Sequence, residues 1–445
     1  MERVKTIALL IGTVAAAAAG ISLLAGLNEN LPQVPRTDDS KPKPVENGGS
    51  NTDTFTVLPD PNPPKLNDPN LRVEKVITGL DSPTGMAFLD PDDLLVLEKN
   101  SGLVRLVSNG SLQTTPVLSV KVVNNSERGL LGIAVAEDTS ETTIFLYYTE
   151  SSGSEVRNRV YRYDWSGLGE ITGGTLVLDL PATPGPNHDG GKLTLGPDGM
   201  LYAMIGDLNR NGVLQNFKSG PEPDDTSVIL RVDMDGNPAV NAILSHTSPE
   251  FNSSLSSYYA YGIRNGFGLD FDPGTGLLWD TENGPADYDE INVVRPGFNS
   301  GWERVIGPME RTGIRESDLV LFEGSHYADP AFSWRQAIGL TDIEFFNSTS
   351  LGGRYSSNLF VGDFNNGNLY FFTLNQYRDG LALGDIDNAG LSDLVADGSE
   401  EVASVTFGAG FGGITDIETG PDGHLYVLSL SGNLYRIVPQ EPATS

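Results

Sequence analysis

A chain of 445 residues with 28 Lys plus Arg against 59 Asp plus Glu carries a formal charge of −31 and contains no cysteine. The acidity argues against a basic face for nucleic acid or an anionic membrane, and the missing thiols exclude disulfides, iron–sulfur clusters and thiolate zinc sites. With 52 glycines and 28 prolines the chain is too rich in turn formers for a mostly helical body, so an all-β fold of many short strands is expected.

The first predicted element is apolar. Arg3 and Lys5 precede an uncharged run from Thr6 to Leu27, about the length that spans a bilayer. Two readings of residues 1–27 compete, a signal peptide and a retained membrane anchor, and both place the rest of the chain outside the cytoplasm. This segment is the only part of the sequence that points to a membrane. Residues 28–70 are rich in Pro, Asn, Asp and Ser, and bury too little to fold, so a disordered linker is expected there. Asn109, Asn124, Asn252 and Asn347 each open an Asn-X-Ser/Thr triplet that an extracytoplasmic chain could have glycosylated.

Residues 71–439 repeat a pattern. Gly196-Pro197-Asp198-Gly199-Met200-Leu201-Tyr202 recurs as Gly420-Pro421-Asp422-Gly423-His424-Leu425-Tyr426, each between two short apolar strands. Strand, Pro-Asp-Gly turn and β-branched or aromatic strand make a hairpin. Looser copies lie at Met86 to Leu97, Ile133 to Tyr148, Leu269 to Trp279 and Ile343 to Val361, giving six units. Equivalent hairpins at blade-sized intervals predict a six-bladed β-propeller, with residues 440–445 left as a tail. Chemistry on such a fold belongs to the loops between units.

Two loop groups carry candidate residues. Pro186-Asn187-His188-Asp189-Gly190-Gly191-Lys192 sets one of only four histidines among glycines, where a backbone can approach a ligand and a neutral imidazole can accept a proton. A turn with a solvated histidine is the plainer reading. Tyr261-Gly262-Ile263-Arg264-Asn265 is followed by Glu282-Asn283-Gly284-Pro285 and by Asp289 and Glu290. Carboxylates beside a Gly-Pro turn offer hard oxygens to calcium, and an arginine beside an amide can hold an oxyanion or a quinone-like carbonyl. Acidic surface loops would read the same way. A second calcium hint, Asp385-Ile386-Asp387-Asn388-Ala389-Gly390, starts like an EF-hand loop but lacks its twelfth-position Glu, so a solvated loop is the better reading.

Taken in order, these segments resemble the glucose/sorbosone dehydrogenase family of soluble, quinone-dependent aldose dehydrogenases. The matching stretches are Glu127 to Ala134, His188 to Tyr202 with Ile205-Gly206-Asp207, Tyr261 to Asn265, Glu282 to Asn292 with Gly301-Trp302, and Gly420 to Tyr435. The resemblance implies a six-bladed propeller in which His188 takes the proton of the anomeric hydroxyl while a hydride passes to pyrroloquinoline quinone. It also implies that Arg264 and Asn265 contact the quinone oxygens, that Gly284 and Pro285 carbonyls help hold a calcium on the cofactor, and that Glu290, beside Asp289, serves a further calcium. In some members an Asp precedes the histidine; here it is Asn187, which weakens support for an imidazolium. The family clamps the cofactor's three carboxylates with a lysine and an Arg-X-Arg pair, whose matching positions are Asn365, Gly413 and Thr415. All three lack positive charge, and Lys192 or Arg335 would have to replace them.

Three functions are therefore expected to compete. The first is an extracytoplasmic aldose or oligosaccharide dehydrogenase using quinone, calcium and His188, with a further electron acceptor. The second is a degenerate propeller that binds a sugar or a protein partner without redox chemistry, as the missing clamp suggests. The third, a calcium-dependent hydrolase of the lactonase type, has no need of the Tyr-Gly-X-Arg-Asn segment. The chain's acidity favours a metal over a tri-anionic quinone.

Overall fold

The computed structural model describes residues 55–440 apart from 138–141, 168, 247–254 and 385–389. The apolar segment Thr6 to Leu27, most of the expected linker, the Asp385 loop and residues 441–445 lie outside the described residues. The end of the expected linker differs from the disordered spacer predicted there. Phe55 is buried, Leu58 N–H donates to Lys75 O at 2.8 Å, and Lys65–Leu66 pairs with Ala409 and Gly408. Backbone pairing and one buried ring hold this Pro-rich stretch, which composition alone cannot reveal.

The described residues are all-β, in six mainly antiparallel sheets with a propeller-like arrangement. Each predicted hairpin unit supplies the first two strands of one sheet. The first strands are Pro83–Phe88, Leu130–Glu137, Leu193–Leu195, Gly266–Phe271, Leu340–Phe345 and Ile414–Thr419. Each touches the first strand of the next sheet, and Ile414–Thr419 returns to Pro83–Phe88, so the contacts form a closed cycle. The two ends of the cycle share a sheet: Leu71–Thr78 pairs antiparallel with Asn433–Pro439, joining the first long strand to the last.

Second strands such as Leu201–Ile205, Leu359–Asp363 and Leu425–Ser429 are buried at every position. Sheets cover both of their faces, which is why they read as continuous apolar runs rather than alternating ones. The repeated turn has a structural cause. Asp198 accepts Met200 N–H at 3.2 Å and Tyr202 O–H at 3.1 Å, and Asp422 accepts His424 N–H at 3.0 Å and Tyr426 O–H at 2.8 Å. In both copies the Asp caps the turn and anchors the tyrosine of the following strand, so the motif serves folding and not chemistry.

Candidate active site

The loop before Leu193–Leu195 bends sharply, with positive φ at His188 (63°), Gly190 (63°) and Gly191 (115°). His188 is buried, and its backbone N–H donates to Glu127 Oε2 at 2.6 Å. Its Nδ1 lies 2.5 Å from Asp207 Oδ1. A carboxylate only accepts, so Nδ1 carries the proton and Nε2 is left as the basic nitrogen, with no protein partner among the described residues. Asp207 is itself held: Oδ2 accepts Trp302 Nε1–H at 2.8 Å and Oδ1 accepts Asn209 N–H at 2.8 Å. The support that Asn187 cannot give thus comes from Asp207, while Asn187 accepts the Ser126 hydroxyl. Gly206 makes the approach possible, since a Cβ there would lie 2.4 Å from Arg264 O and 2.6 Å from His188 O.

Glu127 joins the two candidate loops, because Oε2 also accepts Asn265 Nδ2–H at 3.2 Å. Burial pushes its carboxyl up against those hydrogen bonds. Sequence reasoning placed Glu127, Asp207 and Trp302 within matching segments but assigned them no role. Their types were visible; their convergence was not.

Arg264 turns toward the Gly-Pro turn. Nη1 donates to Asn283 O at 2.7 Å and to Gly284 O at 3.0 Å, and the guanidinium lies 5.2 Å from the Trp302 ring centroid. The Gly284 carbonyl expected for calcium is therefore already an acceptor for Arg264. Asp289 is also engaged: Oδ1 accepts Gly284 N–H at 2.9 Å, and Oδ2 accepts Ile338 N–H at 2.7 Å and Gly339 N–H at 2.6 Å. Its oxygens thus organise the turn through three backbone N–H groups. Glu290 accepts Gly307 N–H and stands opposite Glu282 across the ladder. Burial pushes up the carboxyls of Asp280, Glu282 and Glu290, that of Glu282 to about 7. Both Asp280 oxygens are buried without a hydrogen-bond partner. Even so, among the described residues no three His, Asp or Glu side chains converge in a geometry that holds a metal.

These loops border a cavity of about 550 Å³, lined in part by Glu127, Lys192, Asn265, Pro285, Asn365 and Thr415. His188 and Arg264 are not among its lining residues, although Gly190, Asn265 and Gly284 beside them are. Lys192 does not supply the missing clamp. Its Nζ lies 2.6 Å from Asp416 Oδ1 and 2.7 Å from Asp342 Oδ1. Burial opposes its charge, and the two acids overcome that and raise its pKa. Arg335 is exposed, 3.7 Å from Asp397, and outside the cavity lining. Lys99, which the sequence did not flag, lines the cavity and donates to Ser126 O at 2.7 Å. Three quinone carboxylates need several free cations or N–H donors. Lys99, without a carboxylate ion pair, on a lining that also carries Glu127, Asp289 and Asp416, does not fit that group.

The model of the family described as Glucose / Sorbosone dehydrogenase matches residues 80–436. Aldose sugar dehydrogenase YliI of Escherichia coli is 25% identical over 387 residues, covering 83% of this chain and 93% of that one. Quinoprotein glucose dehydrogenase B of Acinetobacter calcoaceticus is 27% identical over 276 residues, 56% of each chain. A crystal structure of a putative oxidoreductase (glucose dehydrogenase) from Thermus thermophilus superposes with a TM-score of 0.65 at 28% identity, covering 83% of this chain and all of that one. By the extent of the first match, the chain belongs to the glucose/sorbosone dehydrogenase family.

Proposed function

We propose that this protein is an extracytoplasmic sugar dehydrogenase-like six-bladed propeller that presents the anomeric hydroxyl of an aldose to His188. The observation that carries the reading is the Asp207–His188 pair. Asp207 fixes the tautomer, supports the imidazolium that forms when Nε2 accepts the hydroxyl proton, and is itself steadied by Trp302. The naming of relatives as aldose sugar dehydrogenase and quinoprotein glucose dehydrogenase supports the substrate class. Six sheets in a closed cycle of contacts support the blade count, and the basic-flanked segment Thr6 to Leu27 supports export. Calcium finds little support at the Gly284 turn, where the carbonyl oxygen already accepts from Arg264 Nη1.

Oxidation at C1 also needs a hydride acceptor, and the clamp residues do not favour a tri-anionic quinone. The Lys192–Asp342–Asp416 closure therefore favours a second reading, sugar binding without redox turnover. The full chain, supplied with calcium and pyrroloquinoline quinone, would be assayed for dye reduction with several aldoses. Turnover that falls by about 10²–10⁴-fold in His188→Ala is expected for the dehydrogenase. Sugar binding without dye reduction gives the second reading, and lactone turnover with metal alone overturns both.

A further inference from the structure

Phe364 is the cavity residue with the least obvious reason to be where it is. It is a large apolar side chain, 43% exposed, in the turn after Leu359–Asp363, and it lines the cavity with Asn365 and Thr415. Its backbone N–H is tied to Gly339 O at 2.8 Å, so the turn is anchored while the ring stays open. The ring rests on Gly413: a Cβ there would lie 2.9 Å from Cδ2 and 3.0 Å from Cε2. Any side chain at 413 would have to displace Phe364. Elsewhere on the same cavity, Asn265 and Asn283 are buried, yet Oδ1 of each has no partner. Their amide nitrogens are engaged, Asn265 with Glu127 Oε2 and Asn283 with Leu340 O at 2.8 Å. Asp416, Glu127 and Asp289 also line the cavity, together with Lys99 and Lys192. The wall thus combines an open aromatic face with a lining in which three acids outnumber two lysines. A ligand that satisfies it brings O–H donors and an apolar face, and carries no negative charge.

We propose that Phe364, seated on Gly413, is a stacking platform for an uncharged sugar ring. This rests on the sugar-handling reading above and narrows it to neutral carbohydrates. Glycine at 413 then makes room for an aromatic ring as well as removing a charge.

Isothermal titration of the full chain would compare D-glucose, D-glucuronate, which differs by one carboxylate, and pyrroloquinoline quinone. Glucose is expected to bind most tightly. Phe364→Ala should weaken glucose about five- to tenfold without lowering the melting temperature, whereas Phe364→Trp should retain it. Gly413→Arg should displace the ring, weaken glucose and strengthen the quinone. Equal glucose affinity in Phe364→Ala, or glucuronate or quinone binding tighter than glucose in the wild type, would overturn the platform. If Phe364→Ala binds normally while His188→Ala loses turnover, the platform fails and the sugar-handling reading stands. If the wild type binds and turns over no sugar, that reading fails first.

Discussion

The two sides of the cavity handle charge in opposite ways. On one side Asp207 and Glu127 hold His188 through Nδ1 and its backbone N–H, so that Nε2 keeps its lone pair. On the other, Lys192 spans Asp342 and Asp416, and the positions expected to grip a tri-anion are Asn365, Gly413 and Thr415. Both sides contain ionisable groups in tight hydrogen bonds, yet only the first leaves a reactive atom free. Whether a charged residue can act on a ligand depends on what already satisfies it, and the residue type alone does not say.

The sharpest way to break the contrast is at its reactive end. Asp207→Asn removes the anion behind His188, and any turnover that depends on His188 should fall by about 10²–10⁴-fold in dye-reduction kinetics. An unchanged rate would mean that the pair is structural. At the closed end, Lys192→Met leaves Asp342 and Asp416 buried without their cation and should cost about 3–5 kcal/mol in denaturant unfolding. A loss below about 1 kcal/mol would mark Lys192 as an open surface lysine after all.

A third test uses carboxylates on the first strands. Asp270, Glu344 and Glu418 come from three adjacent first strands, and burial pushes the carboxyls of Asp270 and Glu418 up to about 6 and about 8. Unfolded carboxyls titrate near about 4, so over the interval up to about 8 the folded chain holds protons that the unfolded chain has released. Stability should therefore fall as pH rises from about 4.5 to about 8. Glu418→Gln should flatten that slope, by on the order of 2 kcal/mol in melts at pH values near the two ends. A wild-type stability that rises over this interval would contradict the assignment. The smallest effect is expected far from the cavity: Arg295 and Asp379 form an exposed pair at 3.3 Å, and Arg295→Ala should change stability by less than about 1 kcal/mol.

Much of this was legible in the residues themselves. Repeated Gly-Pro-Asp-Gly turns located two hairpins outright, because the Asp that caps the turn and the tyrosine it binds are four positions apart. The remaining units were readable from short apolar runs, which mark strands covered on both faces. His188 stood out through its glycines, and Arg264 and Asn265 through their neighbours. The backbone partners of Asp289 were not legible, because an acid beside a Gly-Pro turn looks the same whether its oxygens face a cation or three backbone N–H groups.

The sequence by itself determined the class of fold, the places of the turns and the family to which the segments belong, since each rests on residues close together in the chain. Only the tertiary structure decided that Asp207 stands behind His188, that Lys192 is paired with acids 150 and 224 positions away, and that the Phe364 ring lies over Gly413. Those pairings form when six sheets close into one cycle and bring distant loops to a common cavity. The charge of −31 acquires a local meaning there, as a lining in which Glu127, Asp289 and Asp416 outnumber Lys99 and Lys192.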